Sequence, residues 1–315
     1  MRKIAVFILI LSTLLLLGSC QKEEITYSDN QPLTLTIKGD SLKILQITDL
    51  HLTYGIDYHD RKTFELIKHL NNADDFDLIV ITGDLTMSPQ APILFSMLVE
   101  FMESLETPWT FVFGNHENDY HTYVDFLKRI KETTYLLFKV GPKLSEGGVG
   151  NFKIDVYQES NLFYHLYFLD TKSKRDDYTE DEGAYDYLSD AQVSWYEAFV
   201  EQDEKESIVF MHIPLRQFIE AQDIVGTFNE KMVYAQGKDT GFFDAMVTHG
   251  KSKAVFVGHD HLNDFYFMHT DIMLAYGRAT GFNGYGTLEK GGRVIEISST
   301  DDISTYVYTY SEVRP

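Results

Sequence analysis

The hydrophobic positions of this chain fall into short apolar runs separated by polar stretches of helical periodicity. Leu42–Ile47, Asp77–Thr82, Trp109–Phe113, Ile208–Met211 and Lys253–Val257 each read as a strand buried on both faces, because apolar residues dominate without strict alternation. Asp60 to Leu70 carries Phe64, Ile67 and Leu70 at helical spacing, and Ala91 to Leu105 reads as a second helix that Pro108 closes. This strand–helix alternation predicts a mostly parallel sheet in the first half. Leu33 to Ile37 alternates and reads as a strand ahead of it, and Tyr120 to Glu132 reads as a further helix.

The second half changes character. Phe152–Tyr157 and Phe163–Leu169 read as a hairpin pair, and the charged stretch Lys172 to Asp186 as a surface loop. Ser189-Asp190-Ala191-Gln192 is a capping box that opens a helix with Val193, Tyr196 and Val200 on one face. Phe218 to Lys238 gives no clear signal, and Ile272–Tyr276, Arg293–Ile297 and Thr305–Tyr310 read as strands. Neither an internal repeat nor a low-complexity linker interrupts the pattern.

The alternation argues an α/β class, and composition is globular: 44% of the 315 residues are hydrophobic and 24% charged. One domain over residues 33–315 is expected, behind a tether at 21–32. The chain carries 27 Lys+Arg against 48 Asp+Glu, a net charge of −21. Such a surface repels polyanions, which argues against generic binding to a nucleic-acid backbone.

Residues 1–20 stand apart. Arg2 and Lys3 precede an apolar stretch from Ile4 to Leu17, then Gly18-Ser19-Cys20. This reads as a secretory signal, short of the ~20 apolar residues of a membrane span. Leu17-Gly18-Ser19-Cys20 also resembles a bacterial lipobox, and Cys20 is the only cysteine, so it has no disulfide partner within the chain. Lipidation of Cys20 and membrane anchoring on the periplasmic face or cell surface are expected. Gln21-Lys22-Glu23-Glu24 resembles the export signal of some surface lipoproteins.

The candidate chemistry sits at the ends of the five apolar runs. They close on Asp49-x-His51, Gly83-Asp84, Gly114-Asn115-His116-Glu117, His212 and Gly258-His259-x-His261. Any one of these residues alone is more often a capped turn or a satisfied histidine. Five such ends in succession are hard to assign to unrelated turns. Imidazole and carboxylate donors without thiolate suit Mn, Zn or Fe, and there are enough for two divalent ions sharing one carboxylate. Two ions about 3.5–4 Å apart polarise phosphoryl oxygens and turn a water between them into a hydroxide nucleophile.

The wording around these ends resembles the calcineurin-like metallophosphoesterase superfamily, and within it the branch related to purple acid phosphatases. The residues that carry the resemblance are Gln46-Ile47-Thr48-Asp49-Leu50-His51, His212-Ile213-Pro214-Leu215, Gly258-His259-Asp260-His261-Leu262-Asn263-Asp264-Phe265 and Tyr276-Gly277-Arg278, together with Gly281 and Tyr285-Gly286. The resemblance implies two mixed β-sheets packed as a sandwich flanked by helices. It implies that Asp49, His51 and His261 hold the first metal, that Asn115, His212 and His259 hold the second, and that Asp84 bridges them. His116 would contact the phosphate and act as general acid. The expected function is hydrolysis of phosphomonoesters; a phosphodiesterase acting on nucleotides or lipid head groups, and a non-catalytic binding lipoprotein, are the alternatives.

Several residues keep two readings. Arg278 either clamps a substrate phosphate bidentately or stands on the surface of a Gly-rich loop. Asp260 either accepts a bond behind the ligands or is solvated. Tyr54, Tyr58 and Tyr120 either line the cleft or pack, and His59, His121 and His249 read as surface residues. One position departs from the purple enzymes: Met87 stands where they place the tyrosine that binds ferric iron.

Overall fold

The computed structural model describes residues 24–314; the expected signal segment and Cys20 lie outside them. The strands in the first half are β1 (Leu33–Ile37), β2 (Ser41–Ile47), β3 (Leu78–Thr82) and β4 (Trp109–Val112), with helices α1 (Tyr58–Asn71), α2 (Ala91–Glu103) and α3 (Tyr123–Leu127). The middle holds β5 (Phe152–Gln158), β6 (Asn161–Phe168), α4 (Asp190–Val200), β7 (Ser207–Phe210), α5 (Phe242–His249) and β8 (Ser252–Val257). The chain closes with β9 (Tyr266–His269), β10 (Ile272–Tyr276), β11 (Gly291–Ser298), β12 (Ile303–Thr309) and the short α6 (Tyr310–Val313).

Two mixed sheets face each other, as expected from the resemblance. One has the order β12-β11-β2-β3-β4, the other β1-β5-β6-β7-β8-β10-β9. β2, β3 and β4 are mutually parallel, and so are β6, β7, β8 and β10. The two sheets bury Ile44, Leu78, Val80 and Val112 against Ile154, Leu166, Ile208 and Phe256. On the outer face of the smaller sheet Ile47, Ile79 and Ile81 meet Leu66, Leu94 and Leu98 of α1 and α2. The outer face of the larger sheet meets Val193, Tyr196 and Met246 of α4 and α5. Each such side chain contributes about 1.5–3 kcal/mol on burial. Cover on both faces explains why these strands read as continuous apolar runs.

Two expectations needed correction. The helix predicted over Tyr120 to Glu132 is α3 alone. A capping box between Thr122 and Asp125 starts it late, and Glu132 adopts a positive φ of 44° that turns the chain away. Thr134 and Tyr135 then donate their amides to the Glu103 carboxylate. The described part of the tether is fastened to the domain: Ser28 exchanges bonds with Gly141, and Asn30 accepts from Trp195. β1 joins the larger sheet, beside β5, and not the sheet of its sequence neighbour β2.

Candidate dimetal centre

The carboxyl ends of the parallel strands in both sheets open toward one another, and the predicted ligands meet there. Beyond β2 and β3 the backbones stay paired: Asp49 N donates to Gly83 O and His51 N to Asp84 O. This pairing sets Asp49 and His51 beside Asp84. Asp49, His51, Asp84 and His259 all adopt positive φ, between 46° and 79°. Such backbone costs on the order of 1–3 kcal/mol per residue and persists where surrounding contacts over-determine it. Here the contacts are visible. The Asp49 carboxylate accepts the amide of His259, and the Asp84 carboxylate accepts that of His116 at 3.0 Å. Gly83 has φ 89°, and a Cβ there would lie 2.4 Å from His212 Nδ1.

Two clusters form, sharing Asp84: Asp49, His51, Asp84 and His261, and Asp84, His212 and His259, each with ligand atoms within 4.8 Å of one another. The shared carboxylate presents Oδ2 to His51 Nε2 at 3.4 Å and Oδ1 to His212 Nε2 at 3.3 Å. His51 Nε2 and His261 Nε2 stand 2.9 Å apart, with Asp49 Oδ1 3.4 Å from the latter. Asn115 Oδ1 lies 3.1 Å from His212 Nε2. His212 Nδ1 donates to Thr82 O at 2.7 Å, which aims Nε2 at the cluster as a metal-ligating histidine requires.

The electrostatics fit two cations. Burial works against the charge of Asp49 and Asp84, yet the imidazoles of His261 and His212 override it and hold both carboxyls well below the ordinary range. Burial also opposes protonation of His212, but Asp84 outweighs it and pushes its pKa up to about 10. His51 and His259, dominated by burial, are lowered to about 3 and are neutral at physiological pH. Buried carboxylates beside neutral imidazoles are the donor set of a mixed N/O metal site.

His116 borders the same cleft, its ring 5.3 Å from that of His51. Its Nδ1 lies 2.6 Å from Asp119 Oδ2. Burial pulls its pKa down, but Asp84 and Asp119 outweigh that and hold it above the ordinary histidine value. Glu117, from the same strand end, faces the backbone: it accepts from Thr86 N at 3.0 Å and Gly114 N at 2.6 Å, tying two ligand-bearing loops together.

Other candidates lie elsewhere. The guanidinium of Arg278 pairs with Asp264 and donates to Glu289 O; it is 7% exposed and does not border the cleft. The clamp reading is thereby corrected, because both faces of its fork are spent within the protein. Asp260 accepts from Tyr276 Oη at 2.7 Å and Tyr234 N at 3.2 Å, a buried acceptor behind the histidines. Tyr54, Tyr58 and Tyr120 are more than half exposed and outside the cleft. His59, His121 and His249 stay outside it too.

Above the ligands opens a cleft of about 490 Å³. Its wall comes from residues without a sequence signal: Tyr185, Glu230, Tyr234 and Asn283, together with Tyr285. Tyr285 stacks on His261 with ring centres 4.1 Å apart, and Tyr185 meets His259 edge-on at 4.3 Å. Asn283 is anchored by Asp60, which also accepts the amides of Thr53, Tyr54 and Gly55.

A two-sheet sandwich with a shared aspartate between two histidine clusters defines a protein of the dimetal phosphoesterase type. Residues 42–263, well over half of the chain, match the calcineurin-like phosphoesterase family, and the chain belongs to it. It is similar to two Arabidopsis thaliana proteins. One is "Probable inactive purple acid phosphatase 14", 28% identical over 80% of this chain and 73% of that protein. The other is "Probable inactive purple acid phosphatase 29", 25% identical over 86% and 80%. Among solved structures, a dimetal phosphatase from Danio rerio shares the fold with a TM-score of 0.57 at 10% identity, over 85% of this chain and 99% of that one. The family depends on a dinuclear metal centre, and the two Asp/His clusters here could hold metal ions.

Proposed function

We propose that the protein is an exported metal-dependent phosphoesterase that hydrolyses phosphomonoesters. The observation that carries this reading is Asp84, whose two oxygens each face a different histidine cluster. Asp49, His51 and His261 would hold one ion, Asn115, His212 and His259 the other, and Asp84 both. Mn, Zn and Fe all suit this donor set. Such a pair of ions supplies positive charge to phosphoryl oxygens and activates water at neutral pH. The chain's own contribution to leaving-group departure falls to His116. Asp119 holds its Nδ1, leaving Nε2 to pass a proton to the departing oxygen. A cleft of about 490 Å³ has the size of a small-molecule site.

A second reading rests on the word "inactive" in the names of both plant relatives: a metal-holding protein that binds phosphoesters without turning them over. Purified protein should be assayed for bound metal and for hydrolysis of aryl and alkyl monoesters and of diesters, with Mn, Zn and Fe in turn. Two ions per chain with monoesters cleaved faster than diesters is the expected result. Faster diester cleavage would assign a phosphodiesterase instead, and two bound ions without turnover of any ester would favour the binding protein.

Export belongs to the same proposal. Its support is the apolar segment ending at Cys20, while no helix among the described residues is long and apolar enough to cross a membrane. Cys20→Ser should abolish labelling by a radioactive fatty acid and release the protein from the membrane fraction. Equal labelling of the variant would sink the anchor.

A further inference from the structure

The cleft carries opposite chemistry on its floor and its wall. Two divalent ions beside the carboxylates of Asp49 and Asp84 would leave the floor cationic, suited to a phosphate. No lysine or arginine is among the described residues that line the cleft, although Lys174 Nζ stands 5.8 Å from the ring centre of Tyr185. The wall carries Glu230 and Asp260 with the rings of Tyr185, Tyr234 and Tyr285. Glu230 Oε1 accepts from Tyr285 Oη at 2.5 Å and from Leu262 N at 3.2 Å, while Oε2 accepts no bond from a described residue. Asp260 Oδ1 is buried and equally without a partner. The free Glu230 oxygen beside the tyrosine rings forms a recess for a positive charge, since ring faces attract cations and the carboxylate compensates them. A second phosphate or a carboxylate on the substrate would meet repulsion there.

We propose that the substrate class is zwitterionic: a phosphoester whose leaving group bears an ammonium, with the phosphate on the metal floor and the ammonium between Glu230 and the wall tyrosines. This rests on the phosphoesterase reading and narrows it. The chemistry is that of phosphorylated amino alcohols, whether as a free monoester or as the diester of a lipid head group. It disfavours nucleoside di- and triphosphates, whose additional phosphates would face Glu230.

Non-hydrolysable phosphonates test this whether or not the protein turns substrate over. Metal-loaded protein is titrated by calorimetry with 2-aminoethylphosphonate, propylphosphonate and 3-phosphonopropionate, which differ only in ending with an ammonium, a methyl or a carboxylate. The expected order of affinity is ammonium, methyl, carboxylate, with about tenfold between the first two. That factor corresponds to about 1.4 kcal/mol. Glu230→Gln keeps an acceptor for Tyr285 but removes the charge, so it should erase most of the ammonium preference while binding of propylphosphonate persists. A purely structural Glu230 would leave the order intact in the variant. Equal affinities for the three ligands in the native protein, or an unchanged order in Glu230→Gln, overturn the proposal and leave the phosphoesterase reading standing. No binding of any phosphonate with two ions present overturns both. Competition of 2-aminoethylphosphonate by phosphatidylethanolamine vesicles would assign the lipid source, and competition by free O-phosphoethanolamine alone the soluble one.

Discussion

The seven ligand-type side chains on the cleft floor are at most 7% exposed, whereas Tyr234 and Tyr285 on its wall are 36% and 52% exposed. The two regions are positioned differently. The floor residues stand past the ends of strands, and several are pinned by a neighbouring strand end: Asp49 by Gly83, His51 by Asp84, His259 by Asp49; His261 instead bonds to Tyr285 of the wall. The wall residues come from loops near 185, 230 and 285 that converge only in three dimensions, through contacts such as Tyr285 with Glu230. Rigid elements hold chemistry to tight tolerances, and loops vary what enters it. On the proposed reading the floor would fix the reaction class and the wall would select the substrate.

The strongest way to break this division is at its centre. Asp84→Ala should remove the group shared by both clusters, so purified variant should lose metal and turnover together, by on the order of 10³-fold or more in rate. That loss corresponds to several kcal/mol of charge stabilisation. Metal analysis showing two fully bound ions in the variant would refute the shared role.

A smaller effect, confined to one step, is expected at His116. His116→Ala should retain both ions and slow alkyl phosphate hydrolysis by roughly 10²–10⁴, with a smaller loss for nitrophenyl phosphate, whose leaving group needs little protonation. Equal losses for both esters would make His116 a phosphate contact and not an acid.

Metal removal should expose the proton chemistry of the floor. In the metal-free protein His212, despite its burial, is pushed up to about 10 by Asp84. Its folded value lies above the ordinary 6.5, so its contribution to stability is complete below that ordinary value and lost as pH rises through about 10. Metal binding must displace this proton, so affinity should rise with pH and protons should be released at pH 7. Calorimetry in two buffers of different ionisation heat measures the release. Uptake of metal without proton release would contradict a protonated His212.

The mildest prediction sharpens the border between floor and wall. Met87 lines the cleft, and a neutral thioether is a poor ligand for ferric iron. The hydroxyl of the wall residue Tyr285 is spent on Glu230. Iron-loaded, air-oxidised protein should therefore be colourless, and Met87→Tyr should introduce a visible phenolate-to-iron band with little change in stability. A band in the unmodified protein, lost on changing Tyr185 or Tyr285, would place a wall residue among the ligands.

The floor was legible in the sequence because strand periodicity and strand ends are local properties. An apolar run such as Leu78–Thr82 announces a strand covered on both faces, and the next two residues, Gly83 and Asp84, necessarily sit at its carboxyl end. The capping box at Ser189 was legible for the same reason: Gln192 lies three residues away and returns the bond. Only the tertiary structure decided that β1 joins the larger sheet, that Arg278 is spent on Asp264, and that Tyr185, Glu230 and Tyr285 share a wall. These outcomes depend on pairs separated by tens to hundreds of residues, such as Asp60 with Asn283. No short-range pattern encodes such pairs; the packing of the two sheets brings them together.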